Sequence, residues 1–358
     1  AKDEGWEDLD AEDHDDPLMV TEYVEEIFNY MRKLELEYLP NGDYMSMQRE
    51  IDWTVRGVLI DWLIDIHGKF RLLPETLFLA TNIVDRFLTH RTISLAKLQL
   101  VGLTAMFLAA KYEEVLCPSV KIFLQLANGG YTDEEILRAE RYMLKVLKFN
   151  LSYANPMNFL RRISKADNYD IQTRTVAKYF MEISLVDHRF LEHQPSLVAA
   201  AAVWTARYVL ERGDWTPTLV HYSSYSEQEL LTTAELMVDY TLRPSNHASF
   251  TKKYSSKKFM RAATYVKDWG MRMWGEFGPS ECDEAGDAPL VDLFNHVGVE
   301  RPTKLCFGST GSSDGTGSEP GDEANNSGGF EAQLKEVAGG DDDEDDDEGL
   351  DDEEEEEY

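Results

Sequence analysis

The stretch "LAKLQLVGLTAMFLAAKYEE" (residues 95–114) is apolar on almost every side of a helix and then ends abruptly in the tetrapeptide KYEE. A helix on the surface of a globular protein carries an apolar stripe on one side only, so a helix that is apolar all round is expected in the interior. Its longest apolar run, residues 100–110, is eleven residues, well short of the roughly 20 that cross a bilayer. The stretch therefore predicts a buried central helix and no membrane partner.

The segments around this helix have the spacing of further helices. Pro74 suits a first helical turn, Ser94 is a candidate cap for the central helix, and Thr132 with Glu135 predicts a capping box. No segment alternates as a strand would. One apolar helix face is formed by Val55, Val58, Leu59, Trp62, Leu63 and Ile66. The chain is predicted to be all-α.

The same pattern occurs a second time, at an offset of 94 to 96 residues. Asn155-Pro156 predicts a helix start, "PSLVAAAAVWTARYVL" (195–210) is again small and apolar all round, and "YSEQELL" (225–231) repeats the pattern of "YTDEEIL" (131–137). A repeated helical pattern of this kind indicates two tandem all-α domains of about five helices each. We place them at residues 51–150 and 151–272.

Most of the formal charge of −32 lies at the two ends of the chain. Residues 341–358 carry fifteen acidic side chains and residues 1–16 carry nine. Such composition is typical of disordered segments, so we expect disorder in residues 1–16 and in a linker and polyacidic tail over 273–358. No basic stripe suited to a phosphate backbone is visible, which argues against a nucleic-acid partner.

The cysteines and histidines predict no metal site. Cys117, Cys282 and Cys306 are widely spaced, and the eight histidines show no ligand spacing such as HExxH. Three such cysteines fit a reducing compartment and indicate neither a disulfide framework nor a zinc site.

Several motifs, in order, resemble the cyclin box of mitotic B-type cyclins. They are "VRGVLIDWLIDIHGKFRLLPETLFLATNIVDRFL" (55–88), "KLQLVGLTAMFLAAKYEEVLCPSV" (97–120) and "ILRAERYMLKVLKFNL" (136–151). "DPLMVTEYVEEIFNYMRKLE" (16–35) is similar to the extra helix that precedes the box in those proteins. The resemblance implies two tandem five-helix cyclin folds, with a leader helix and its connection in residues 17–50.

The resemblance also implies a function. Members of the family bind and activate a cyclin-dependent Ser/Thr protein kinase catalytic subunit, here the one that drives entry into mitosis. The family member holds a mobile helix of the kinase inward and does no chemistry itself, so neither catalytic residues nor a cofactor is expected. Location in the nucleus and cytoplasm follows from the same resemblance.

The residues that the resemblance assigns to kinase binding centre on a charged pair. Lys111 and Glu140 match the pair that hydrogen-bonds to the kinase, and Leu108, Tyr112 and Phe149 match apolar neighbours that contact the same surface. Without the resemblance, Lys111 would be interpreted as a cation at a helix C-terminus, and Glu140 as part of a solvated face. Arg56 and Asp85 match an internal structural pair that joins the first two helices of the box.

A second surface implied by the resemblance is a shallow apolar patch that docks short motifs of substrate proteins. Val55, Leu59, Trp62 and Gln99 match it. Val55 stands where the family usually has Met, and Asp65 stands where Glu is common, so the preferred motif is left open. Trp62 taken alone would be interpreted as a core residue.

Two other functions remain as alternatives. A transcriptional cyclin would pair with a different kinase, and another tandem cyclin-fold adaptor would bind a different partner. An adaptor on DNA would need a basic face, which the charge distribution does not offer.

Overall fold

The computed structural model describes residues 5–126 and 130–299, and those residues contain helices and no strand, which confirms the all-α prediction. Short 3-10 helices cover Asp10–Asp13, Thr21–Tyr23, Tyr44–Met47, His188–Phe190 and Lys257–Phe259. The α-helices are α1 Val24–Glu37, α2 Trp53–Phe70, α3 Pro74–His90, α4 Leu95–Glu113, α5 Val120–Leu126, α6 Asp133–Val146, α7 Pro156–Ala166, α8 Ile171–Val186, α9 Pro195–Val209, α10 Pro217–Ser223, α11 Glu227–Leu242, α12 Ala248–Ser255, α13 Ala262–Trp274, α14 Pro279–Ala285 and α15 Leu293–Val297. None of the helices in this described part combines the length and apolarity that a membrane span requires.

The first fold is built from α2 to α6 around α4. Every residue from Leu100 to Ala110 is buried, as expected for a helix that is apolar all round. Gly102 allows α2 to approach, because a Cβ at this position would lie 2.8 Å from Leu59 Cδ1. The buried hydroxyl of Thr104 donates to the Leu100 carbonyl oxygen at 2.7 Å, so it needs no partner outside the helix.

The helix boundaries of this fold follow local signals, with one exception. Pro74 is the first residue of α3, and the capping box of Thr132 and Glu135 begins α6. Ser94, expected as the cap of α4, makes no side-chain capping bond. Glu50 takes that role instead, because its Oε2 accepts from Leu95 N at 3.1 Å. A carboxylate suits a helix N-terminus as well as a hydroxyl does.

The second fold repeats this plan with α7 to α11 around α9. Four consecutive alanines, Ala199–Ala202, are fully buried in α9, and side chains that small let neighbouring helices approach closely. Asn155 Oδ1 caps α7 by accepting from Met157 N at 3.2 Å. Ser226 and Glu229 form the second capping box. The internal repeat is therefore confirmed.

Buried polar groups join the two folds into one compact unit. Asp61 of α2 accepts from the backbone N–H of Ser249 at 3.0 Å and of Phe250 at 2.8 Å. These two amides lie in the first turn of α12, where a carboxylate is favoured by the helix dipole. Arg56 also donates to the carbonyl oxygen of Leu185 at 2.9 Å. The relative placement of the folds thus depends on satisfied buried hydrogen bonds.

Residues 5–16 contradict the prediction that the acidic N-terminal segment is disordered. They lie on the second fold, where Asp10 pairs with Arg162 at 2.6 Å and with Lys165 at 3.0 Å. The composition of the segment shows its acidic charge, but it does not show that the fold places Arg162 and Lys165 opposite that charge.

The predicted disorder from residue 273 onwards is wrong for the part that the structure describes. Helix α13 continues to Trp274, and α14 and α15 follow. Val291, Leu293 and Phe294 are buried, and Leu293 N donates to Glu235 Oε1 at 2.9 Å. This apolar run is too short to predict a helix among the Gly, Pro and acidic residues around it. The polyacidic tail lies outside the described residues.

Candidate partner-binding site

Lys111 and Glu140 form an ion pair that joins α4 to α6. Lys111 is in the last turn of α4, Glu140 is near the middle of α6, and Lys111 Nζ lies 2.6 Å from Glu140 Oε1. The lysine side chain is 42% exposed and the glutamate side chain 12%. The same Nζ lies 4.1 Å from the centre of the Phe107 ring, one turn earlier in α4. The ammonium group is thus held by a carboxylate, a ring face and the negative end of its helix.

The three apolar residues predicted beside this pair differ in exposure. Tyr112 is 55% exposed and Phe149 is 69% exposed, which suits a contact with another protein. Leu108 is only 3% exposed, so its predicted direct contact is not available in this structure. Leu108 belongs to the core of the first fold because it faces inward from α4.

Phe149 has an unusual backbone conformation as well as an exposed ring. It follows α6 in the left-handed region with φ of 59°, directly after Lys148 with φ of 54°. Phe149 N donates to the Leu144 carbonyl oxygen at 2.8 Å, which satisfies the end of the helix. Non-glycine residues adopt this region at a cost in free energy. Asn168 and Tyr169 adopt the same left-handed conformation after α7. Two successive left-handed residues are therefore a feature of how these two helices end.

Two exposed apolar residues that follow Lys111 in the chain were missed by the sequence analysis. Val115 is 96% exposed and Leu116 is 87% exposed, in the connection between α4 and α5. Large apolar side chains that are this exposed and adjacent mark interaction surfaces. The available signal was an apolar pair between the polar KYEE and Pro118, where a loop would ordinarily be polar.

The two glutamates after Lys111 have different surroundings. Glu114 Oε1 accepts from Leu73 N at 2.7 Å and from Thr76 Oγ1 at 2.5 Å, and so caps the N-terminus of α3. Burial raises the pKa of Glu113, and the negative charges of Glu75 and Glu114 raise it further. The end of the "AMFLAAKYEE" stretch therefore combines a candidate contact residue with a structural cap.

Helix α1 carries a second exposed apolar stripe that sequence reasoning did not assign. Tyr23, Ile27 and Tyr30 are exposed and follow one another at intervals of four and three residues, so they share one face of a helix. The opposite side of the helix is packed, since Phe28 contacts Phe159 of α7. A helix that carries apolar side chains on two faces is typical of one that is covered on both of them.

Arg56 and Asp85 lie together in the core between α2 and α3. Arg56 Nε and one terminal nitrogen donate to the two carboxylate oxygens of Asp85, each at 2.7 Å, and Tyr44 donates to Asp85 at 2.8 Å. Burial alone would lower the pKa of Arg56, but the carboxylate of Asp85 more than offsets this and raises it. Burial raises the pKa of Tyr44, and the negative charge of Asp85 adds to this.

The four residues of the predicted docking patch are not equally accessible. Val55 and Gln99 are half-buried, whereas Trp62 is nearly buried and Leu59 has no exposed surface. Leu59 packs against Gly102, so a direct contact between Leu59 and a peptide is not available in this structure. Asp65, at the edge of the patch, pairs with Lys69 at 3.0 Å. Val55 and Gln99 are the members that a bound segment can reach.

Within residues 5–126 and 130–299, no group of His, Cys, Asp and Glu side chains is placed to hold a metal ion. The Lys111–Glu140 pair is followed in the chain by exposed Tyr112, Val115 and Leu116 after α4 and by exposed Phe149 after α6. Fixed charge surrounded by aromatic and aliphatic side chains is suited to binding another protein.

Comparison with known proteins places these folds in a family. The family model of the cyclin N-terminal domain matches residues 26–152, and that of the cyclin C-terminal domain matches residues 154–268. The X-ray structure of a viral cyclin from herpesvirus saimiri has a TM-score of 0.52, covering 70% of this chain and 98% of that chain at 18% identity. At that identity the likeness supports the fold.

Individual relatives match the chain across both domains. G2/mitotic-specific cyclin cdc13 of Schizosaccharomyces pombe is 60% identical over 264 residues, which is 74% of this chain and 55% of that protein. G2/mitotic-specific cyclin-B of Emericella nidulans is 58% identical over 265 residues, again 74% of this chain and 55% of that protein. The chain thus spans a little over half the length of these relatives. With both domains matched in tandem and at this identity, the chain belongs to the cyclin family, and its relatives include the G2/mitotic-specific B-type cyclins.

Proposed function

We propose that this chain binds and activates a cyclin-dependent Ser/Thr protein kinase to drive entry into mitosis, and that it does so as a non-catalytic subunit. The observation that carries the proposal is the identity of 58–60% to two G2/mitotic-specific cyclins across both cyclin domains. A transcriptional cyclin with another kinase is less well supported, because these relatives are named for the G2/mitotic stage.

The surface around the Lys111–Glu140 pair supports the proposed mode of binding. The pair supplies directional hydrogen bonds, while Tyr112, Val115 and Phe149 supply exposed apolar surface. Apolar contact provides the driving force of association, and charged groups determine the orientation in which partners meet. A mobile kinase helix that packs on these apolar side chains and bonds to the pair is held in one position.

Activation requires the chain to prefer one conformation of its partner. Shifting a two-state equilibrium from 1:99 to 99:1 takes about 5.5 kcal/mol of differential binding. Two charged hydrogen bonds of roughly 1.5 to 3 kcal/mol each, together with the apolar contacts, are of the size needed. Such a subunit changes the population of the active kinase and takes no part in phosphoryl transfer.

Recruitment of substrate proteins is the second part of the proposal. Val55 and Gln99 offer partly exposed surface on α2 and α4. A short motif of a substrate that binds there raises the concentration of that substrate near the kinase.

We also propose a location in the nucleus and the cytoplasm, which imaging of a fluorescent fusion would test.

The decisive experiment combines the purified chain with a purified cyclin-dependent kinase catalytic subunit. Incorporation of phosphate from ATP into histone H1 is measured with and without the chain, and stable association is measured by gel filtration. We expect co-elution and at least a tenfold (order-of-magnitude) rise in phosphorylation, as for a subunit that completes an active site. A chain that melts cooperatively but neither co-elutes with the kinase nor stimulates it would contradict the proposal.

A further inference from the structure

The N-terminal segment lies along α10 of the second fold and is bound there by its backbone and by one aromatic ring. The Trp6 ring stacks on the His221 ring with centroids 3.5 Å apart and planes 6° apart. Leu9 N donates to the Tyr222 hydroxyl at 2.8 Å, and Glu7 N donates to Thr218 Oγ1 at 3.2 Å. The second fold thus contacts the backbone of this segment as well as the side chain of Trp6.

Two acidic side chains of the segment are paired with cations of α7. Asp10 accepts from an Arg162 terminal nitrogen at 2.6 Å and from Lys165 Nζ at 3.0 Å, and Asp13 also pairs with Lys165. Asp10 and Asp13 lie in one 3-10 helix, where residues three apart share a side. Arg162 and Lys165 are three apart on an α-helix and therefore share a face. The spacing of the charges matches on both sides.

Arg162 is also positioned by contacts outside the segment. The Arg162 guanidinium lies 4.4 Å from the centre of the Tyr222 ring and 5.2 Å from that of the Phe28 ring. Burial acts to raise the pKa of Asp10, but bonds to Arg162 and Lys165 outweigh it and lower that pKa. Burial likewise acts to lower the pKa of Lys165, and Asp13 and Asp10 outweigh it. The fold therefore favours the ionised form of Asp10.

The contact is mostly polar, and this makes it exchangeable. Trp6 and Leu9 are only half-buried, while Glu7, Asp8 and Glu12 are exposed. The paired side chains keep 11–25% of their surface exposed, so solvent and salt still reach the pairs and screen them in part. What keeps such a segment in place is its covalent attachment, which gives an effective concentration on the order of 1 mM.

We propose that Arg162, Lys165, Thr218, His221 and Tyr222, here called the acidic-motif groove, form a docking site for acidic segments of partner proteins. The motif it fits has Trp at its start, Leu three residues later, and Asp four and seven residues after the Trp. Residues 6–13 of this chain carry that motif and occupy the groove in cis, so that a partner segment binds by displacing them. The groove is a binding site additional to the proposed kinase-binding surface.

The test uses a fluorescein-labelled synthetic peptide of residues 5–16 and the whole chain, with binding followed by fluorescence anisotropy. The Asp10→Lys/Asp13→Lys substitutions remove the charge pairs and place lysines opposite Arg162 and Lys165, so we expect them to release the cis segment from the groove; this variant is called the emptied chain. If the peptide binds with a Kd of about 100 μM, cis occupancy at about 1 mM should raise the apparent Kd roughly tenfold. We therefore expect the peptide to bind the Asp10→Lys/Asp13→Lys chain about ten times more tightly than the unchanged chain, and more weakly in high salt.

Two controls test the specificity of the binding. Adding Arg162→Glu and Lys165→Glu to the Asp10→Lys/Asp13→Lys chain should abolish binding, and a peptide with Asn in place of both aspartates should not bind. The milder Asp10→Asn/Asp13→Asn chain serves as the emptied groove if the lysine variant melts early. Kinase stimulation should be unchanged in the Asp10 and Asp13 variants, which separates this proposal from the proposed function. Equal peptide affinity for the unchanged and emptied chains, or binding that survives charge reversal of the groove, would reduce residues 6–13 to a structural strap.

Discussion

At the scale of single residues, burial separates the positions that can meet a partner from those that support them. Lys111 and Phe149 expose enough surface to be contacts, whereas Leu108 and Leu59 are core residues. Glu140 is an intermediate case, because its side chain is mostly covered but its carboxylate is bonded to an exposed lysine. Substitutions at these positions must therefore be tested with a stability measurement alongside the binding measurement.

Replacing Lys111 and Glu140 together by Ala should weaken kinase binding by about 3 kcal/mol, roughly a hundredfold in Kd. Because the two residues already satisfy each other in the free chain, we expect the lower end of the range for charged hydrogen bonds. The free energy of unfolding should fall by no more than about 1 kcal/mol, as for a partly exposed ion pair. Affinity is measured by titration calorimetry and stability by urea unfolding.

A matched control for the Lys111/Glu140 variant is provided by Lys267 and Glu276, an exposed pair with a 2.8 Å contact. Their double Ala variant should leave both kinase affinity and the stimulation of histone H1 phosphorylation unchanged. Full kinase affinity in the Lys111/Glu140 variant would show that the pair serves only to join α4 and α6.

The docking patch is best tested at Val55 and Gln99, the two members with accessible surface. The Val55→Ala/Gln99→Ala variant should raise KM several-fold for substrates with a docking motif, because docking raises local substrate concentration without changing the chemistry. Phosphorylation of a short peptide without a motif should be unaffected. Trp62→Ala is unsuitable, since truncating a nearly buried tryptophan costs about 3–5 kcal/mol of stability. Equal loss of rate on both substrates would argue against docking at this surface.

At the scale of elements, each fold is organised by one helix that solvent barely reaches, and shorter elements complete it. Helices α4 and α9 are long and apolar all round. The segment that contains α14 and α15 has only short helices, and it packs on α11, where Asp239 Oδ1 accepts from Leu290 N at 2.7 Å. Its contribution to stability depends on neighbours that are distant in sequence.

Phe294→Ala should lower the free energy of unfolding by about 3 kcal/mol, as for other large-to-small core substitutions. The matched control is Met273→Ala, because Met273 is an exposed apolar residue of α13 and should change stability by less than about 0.5 kcal/mol. A chain that ends at residue 275 should lose at least as much as Phe294→Ala, whereas one that ends at 299 should melt like the whole chain. Stability of the 275 chain equal to that of the whole chain would show that α14 and α15 are dispensable.

At the scale of the whole molecule, the body of the protein encloses several titratable groups. Burial lowers the pKa of His67, His188, His193 and His247. His67 Nε2 donates to the Leu73 carbonyl oxygen at 3.0 Å, and its Nδ1 has no hydrogen-bond partner among the described residues. A second proton on that ring would therefore be buried without an acceptor, which the fold disfavours.

The free energy of unfolding should decrease as the pH falls from 7.5 to 5.5. A histidine whose pKa is lowered by folding contributes stability that is fully present above its unfolded value of about 6.5 and is lost as the pH falls through its folded pKa. Each such histidine contributes at most about 1.4 kcal/mol per pH unit. Urea unfolding at pH 7.5, 6.5 and 5.5 measures the slope.

His67→Gln isolates one imidazole in that pH series, because glutamine keeps a donor for the Leu73 carbonyl but does not titrate. The variant should show a smaller slope than the unchanged chain. This comparison is needed because burial raises the pKa of Glu35 and Glu113, which works in the opposite direction as the pH falls. Identical slopes for the two chains would show that His67 does not contribute to the pH dependence of stability.

The sequence by itself determined the helical class, the tandem repeat and the family. The helical class and the repeat follow from local physics. The apolar face of α2, the all-round apolar runs of α4 and α9, Pro74 and Pro156 at helix starts, and the capping boxes at Thr132 and Ser226 involve residues close together in the chain. The Lys111–Glu140 and Arg56–Asp85 positions were found through the resemblance to cyclins, since their partners lie on different helices. Local pattern alone would have left Lys111 a helix-terminal cation.

Only the tertiary structure decided which of these side chains are exposed and where the acidic and glycine-rich ends pack. Leu59 and Leu108 are apolar, as contact residues often are, but their side chains face inward. Their burial depends on which helix packs against each face. The sequence alone predicts that residues 5–16 are a solvated acidic run. In the structure, Arg162 and Lys165 of α7 lie opposite Asp10 and Asp13 and pair with them. Charge pairing and burial between distant segments depend on the whole fold, and no local window of sequence contains that information.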